Sequence, residues 1–123
     1  MSGYSVRMLN PVEAARRLAG LAELDPRGMA TEAAIPAMCQ TGLSFEVSDS
    51  SGAAVVVVRM ENGVAWIDAA GGGGGADLCP AIDAAVAGLP CNSVAFQTKR
   101  RGLVRRAEKL GYHVAGYIMR RDL

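Results

Sequence analysis

The chain has 123 residues, enough for one domain with one substantial core. Half of the residues are apolar and 20% are charged, an ordinary globular balance that argues against disorder. The longest strictly apolar run, Ala53–Val58, is far shorter than the ~20 residues a spanning helix needs, and no basic-plus-apolar signal segment opens the chain, so membrane, secreted and fibrous classes are disfavoured.

The net charge of +1 hides an asymmetry. Residues 1–98 hold five arginines against ten acids, whereas residues 99–123 hold eight basic residues against two acids. A basic C-terminal quarter suits an anionic partner, either nucleic acid or a phosphate-bearing cofactor. Cys39, Cys79 and Cys91 are odd in number, and no two stand at CxxC spacing, so neither a disulfide framework nor a zinc site is expected. Three thiols in a reducing cytoplasm is the plain reading. His113 is the single histidine, which excludes a His-based metal cluster.

In chain order, Tyr4–Met8 reads as a short strand. Asn10-Pro11-Val12-Glu13 is a helix start: Asn10 caps, Pro11 suits the first position, and Glu13 can close a capping box. Val12, Ala15, Leu18, Ala19 and Ala22 keep helical spacing, and Asp25-Pro26-Arg27-Gly28 ends the helix. A second helix is expected from about Thr31, short or kinked at Pro36 and ended by Gly42. Leu43, Phe45 and Val47 alternate with polar residues, as in a half-buried strand, and Ala53–Met60 reads as a central strand. Asn62-Gly63 predicts a tight hairpin into Val64–Ala69, because both positions accept positive φ. Five glycines, Gly71–Gly75, lead into a helix with Leu78, Ile82, Ala85, Val86 and Leu89 on one side; Pro80 is comfortable only in its first turn, which points to a start near Cys79. Cys91–Gln97 is a predicted strand, Leu103–Leu110 a helix closed by Gly111, and Tyr112–Met119 a last strand.

The resulting order is β-α-α-β-β-β-glycine loop-α-β-α-β, with no linker dividing the chain. The first half is antiparallel, and the later strand–helix–strand crossover implies a parallel pair. The fold class is therefore α+β, a mixed sheet with helices on both faces.

This order resembles that of the GCN5-related N-acetyltransferase (GNAT) superfamily along essentially the whole chain, as a single domain over residues 1–123. Gly71, Gly73 and Gly75 match the small positions of the family's Arg/Gln-Gly-x-Gly-x-Gly/Ala loop, and Leu78 its apolar helix position. Arg105 to Tyr112, RRAEKLGY, is similar to the family's "lYeklGF" ending and is the more specific of the two signals. Three departures stand out: Ala70 replaces the Arg/Gln before the loop, Ala107 the Tyr that often serves as general acid, and Arg100 a frequent Asn.

The resemblance implies acetyl-CoA as cofactor, with its pyrophosphate on the backbone of Gly71, Gly73, Gly74, Gly75 and Ala76. The physics of a glycine-lined helix start favours phosphate independently. The resemblance also implies strands Val64–Ala69 and Cys91–Gln97 that are parallel and splayed at the Gly71 end. Arg100 is a candidate for the CoA 3′-phosphate. Acyl transfer to an amine needs a base or water relay and an acid for the thiolate. Asp68 and, more weakly, Glu46 are candidates for the first. Tyr112 and Tyr117 are substitutes for the missing acid. For each, a solvated or core role is the alternative, and His113 reads as surface.

Implied partners are a CoA thioester and an unidentified amine, and a homodimer is compatible with the chain. Thr98, Lys99, Arg100, Arg101, Arg105, Arg106 and Lys109 form a basic segment, but aromatics are only 5% of the chain, so nucleic-acid recognition is not expected. Two functions stay open: a small N-acyltransferase, or a binding or structural protein that keeps the fold without catalysis, as small virus-encoded members of the superfamily can.

Overall fold

A computed structural model describes residues 3–19, 35–72, 78–98, 100–119 and 121–123. Within them the chain runs β1 (Ser5–Met8), α1 (Pro11–Leu18), α2 (Ile35–Thr41), β2 (Leu43–Asp49), β3 (Gly52–Glu61), β4 (Val64–Gly72), α3 (Cys79–Ala87), β5 (Ser93–Ala95) and α4 (Arg101–Lys109). The five strands form one sheet in the order β1-β2-β3-β4-β5. The first four are antiparallel neighbours, and β5 joins β4 in parallel after the α3 crossover.

Local chemistry fixes the early elements. The Asn10 carboxamide oxygen accepts the Glu13 N–H at 2.8 Å, and Pro11 opens α1. The Glu13 carboxylate lies 3.5 Å from Arg7 on β1. Pro36 is the second residue of α2, where its missing N–H costs nothing, so α2 carries no kink from it. The expected start near Thr31 and the stop at Asp25–Gly28 lie outside the described residues. Between β2 and β3, the Asp49 carboxylate accepts the N–H groups of Ser51 and Gly52 at 2.7 and 3.2 Å, closing the turn. Between β3 and β4, Asn62 (φ 51°) and Gly63 (φ 79°) are both left-handed, as a two-residue hairpin requires.

The sheet has a core on each face. Leu9, Ala14, Leu18 and Cys39 pack with Val55 and Val57 beneath α1 and α2. Phe45, Val47, Val56, Val58 and Ala65 pack with Val86 beneath α3. The run Val55–Val58 is buried throughout because alternate valines feed opposite cores.

The second half departs from the expected pattern. The strand expected over Cys91–Gln97 is confined to Ser93–Ala95, and Tyr112–Met119 forms no strand. A strand exists only with a ladder partner, and a three-residue edge offers few backbone groups.

Candidate functional site

The site is built on a fault in the β3–β4 ladder. Val57 pairs with Ala69 and Val58 with Ile67, so Asp68 is an extra residue on β4. Such a bulge bends its strand and increases the local twist. It also switches faces: Ala65 and Ile67 belong to the core under α3, whereas Ala69, which simple alternation would put with them, packs against the core under α1 and α2.

The bend coincides with the parting of β4 from β5. The two strands pair only from Val64–Trp66 to Ser93–Ala95. From Ile67 to Gly72, β4 stays paired with β3 but has no β5 partner among the described residues. The ladder thus stops short of the Gly71 end, the side on which the resemblance implies a splay.

Beyond the open end, Gly71 and Gly72 are the last residues of β4. Gly72 has φ 116°, and a Cβ there would stand 2.8 Å from the Ala53 carbonyl oxygen, so glycine is required. Gly73, Gly74, Gly75 and Ala76, the expected phosphate cradle, lie outside the described residues. The chain is described again at Leu78, which is buried and supplies no side-chain cap to α3. As expected, α3 begins at Cys79 with Pro80 in its first turn.

Asp68 is held by Arg59, whose Nε lies 3.1 Å from its carboxylate. Arg59 also bonds Glu61 and stands over the Trp66 ring, 5.9 Å from its centroid. Hydrogen bonding to Asp68 holds the Arg59 guanidinium above its ordinary pKa despite partial burial. Trp66 is half-buried, so it walls this cluster rather than filling the core. Arg59 shares the face of Val57, so this group lies on the side of α1 and α2.

Tyr112 lies on the other side. Its hydroxyl donates to the Asp83 carboxylate of α3 at 2.6 Å, and its ring meets Phe96 edge-on at 5.4 Å between centroids. Burial first, and then the bond to Asp83, push its phenol well above the ordinary tyrosine value. Asp68 and Tyr112 thus flank the sheet from opposite faces rather than touching.

Other candidates stand apart. Glu46 on β2 is bound by Arg17 of α1 and by Arg7 of β1 at 3.5 Å. Arg100 is the exposed residue before α4, its N–H bonded to the Thr98 hydroxyl at 3.0 Å. Arg101, Arg105, Arg106 and Lys109 extend an exposed basic surface along α4; Lys99 lies outside the described residues. His113 and Tyr117 are exposed, Tyr117 almost completely. None of the cysteines is in a disulfide, and burial pushes the Cys39 thiol upward. Among the described residues, no cluster of metal-ligating side chains occurs and no helix is long and apolar enough to cross a membrane.

Sequence reasoning missed the bulge, Arg59 and Asp83. Nothing at Asp68 marks a bulge, since no glycine or broken alternation precedes it. Arg59, the single charge within the apolar run of β3, was the readable signal that something acidic stands opposite.

No family model and no curated protein matches the chain. Among solved structures, the chain is similar to one described as "Putative acetyl transferase from Pyrococcus furiosus". The TM-score is 0.66 at 10% sequence identity, over 98% of this chain and 100% of that one. A likeness at this identity establishes the fold: an acetyltransferase-like, mixed α+β sheet.

Proposed function

We propose that the chain, as a single GNAT-like domain, binds acetyl-CoA where β4 parts from β5 and transfers its acyl group to an amine. The observation that carries this reading is the end of the β4–β5 ladder at Trp66 and Ala95, next to the Asp68 bulge. Beyond Trp66, the side of β4 that faces β5 carries no further ladder to β5 among the described residues. A strand edge offers backbone donors and acceptors, and an extended amide-bearing arm can pair with it. The start of α3, to which Leu78 gives no side-chain cap, suits the pyrophosphate, with Gly71 and Gly73–Ala76 as the proposed loop and Arg100 meeting the 3′-phosphate.

A CoA thioester supplies an activated acyl carbonyl and a thiolate leaving group. The chain supplies proton-handling groups on either side of the split. Asp68, joined to Arg59 at 3.1 Å, accepts a proton from the amine directly or through water on the α1/α2 face. Tyr112 keeps its phenolic proton and is the acid on the α3 face, though the bond to Asp83 must loosen first. Three cysteines outside any disulfide fit a reducing cytoplasm.

A second reading has its own support. Asp68 and Tyr112 both have structural partners, Arg59 and Asp83, which is what a protein that binds the thioester without turnover would show. Calorimetry with acetyl-CoA tests the binding common to both. Wild type gives a saturable heat and a raised melting temperature, since a ligand at 100 times its Kd adds ~2.7 kcal/mol. Gly73→Asp, which sets a carboxylate against the anion, loses both and keeps its unliganded melting temperature. Absence of heat and shift at millimolar acetyl-CoA in wild type overturns the proposal. Binding without acetylation across an amine panel selects the second reading.

A further inference from the structure

The segment after α4 is the largest feature the proposed site does not use. Gly111, left-handed at φ 97°, turns the chain out of α4, and Tyr112 is pinned by Asp83 and Phe96. Phe96 immediately follows β5, so the segment departs beside the outer edge of the sheet. From His113 to Met119 every residue is exposed. Val114 is 61%, Tyr117 91%, Ile118 66% and Met119 92% exposed. These are strand-forming and apolar side chains with no proline among them, a composition that seeks a ladder. At the same place, β5 is an edge strand, paired among the described residues with β4 alone.

We infer that two copies of this chain form a closed dimer in which residues 113–119 of each add as a strand to the β5 edge of the other. Donor and acceptor lie side by side on one copy, and a reciprocal exchange of the two about a twofold axis closes at two. Pairing with the opposite edge, β1, would instead be head-to-tail and would continue into longer assemblies. The area is adequate. A tyrosine buries ~150–250 Å², so the two copies of Tyr117 alone cover ~300–500 Å² of the ~1,600 Å² of a standard interface. Ile118, Met119 and Val114 add to this from both sides. A buried strand pair also satisfies the backbone groups of both edges.

Sedimentation across a concentration series tests this with the full chain. The expected species is twice the 12.8 kDa chain mass, with nothing larger. Ala115→Pro removes an N–H and bends the segment, and Tyr117→Lys puts a charge in the interface. Each shifts the protein to monomer with unchanged far-ultraviolet circular dichroism. A mixture of Ser93→Cys chains with Val114→Cys chains forms a disulfide joining the two kinds, above the background of the native thiols. A monomer at all concentrations overturns the inference, as does a dimer that survives both substitutions. Open-ended oligomers, or failure of the mixed chains to cross-link, overturn the β5 pairing.

Discussion

Glu46 alternates outward from Phe45 and Val47, as a solvated strand carboxylate should, yet α1 and β1 each turn an arginine onto it. The Arg17 hydrogen bond, more than the Arg7 one, holds its carboxyl below the ordinary glutamate value against a smaller desolvation effect. A depressed folded pKa contributes stability that is complete above the unfolded value of about 4.3 and disappears as pH falls through the folded value. Glu46→Gln therefore melts below wild type at pH 7, and the gap closes in acid; parallel melts at pH 7 and below pH 3 check it. Asp68 is the contrasting carboxylate, joined to Arg59 beside the split in the sheet. If it moves the amine proton, Asp68→Asn lowers kcat by about 10²–10⁴-fold while acetyl-CoA affinity holds, because general-base help is made only in the transition state. An unchanged kcat on a working acceptor removes it from the chemistry. The sequence exposed both carboxylates but not their arginines, since partners 9 and 29 residues away are set by ladder register and helix docking.

At the scale of elements, legibility followed the range of the forces. The α1 start, the Asn62-Gly63 hairpin and the beginning of α3 were readable because caps, left-handed turns and proline constraints act within a few residues. Gly63→Ala tests the hairpin: a Cβ at φ 79° meets the Asn92 side chain at 2.8 Å, and left-handed backbone costs a non-glycine residue about 1–2 kcal/mol. Chemical denaturation should show a loss of that size, and a smaller one would mean the turn has relaxed. The extent of β5 and the fate of Tyr112–Met119 were not readable. Their residues have strand propensity, but a strand is a property of a pair, and β5 pairs with β4 over three residues only.

At the scale of the whole molecule, one inserted residue joins fold to proposed function. The order of strands and the mixed sheet were legible in the hydrophobic pattern and the crossover, and the β4–β5 splay was implied by family resemblance. The bulge beside the end of the β4–β5 ladder was hidden: a bulge is a count of residues on two strands, invisible until their register is known. This makes a deletion informative. Removing Asp68 places Ala69 directly after Ile67, so ordinary alternation puts Ala69 on the α1/α2 face it already occupies. The core is thus kept while the distortion is removed. The shortened strand should fold, with circular dichroism close to wild type, and its straighter β4 should extend the ladder with β5 beyond Trp66. Acetyl-CoA binding should then fall at least tenfold by calorimetry, because the gap between the strands has closed. Asp68→Ala is the necessary control: it loses the same carboxylate and the same bond to Arg59 but keeps the residue count, and it should bind acetyl-CoA as wild type does. Equal binding by the deletion and the control would separate the bulge from the ligand. Loss in the deletion alone would identify the extra residue, rather than its charge, as what opens the sheet.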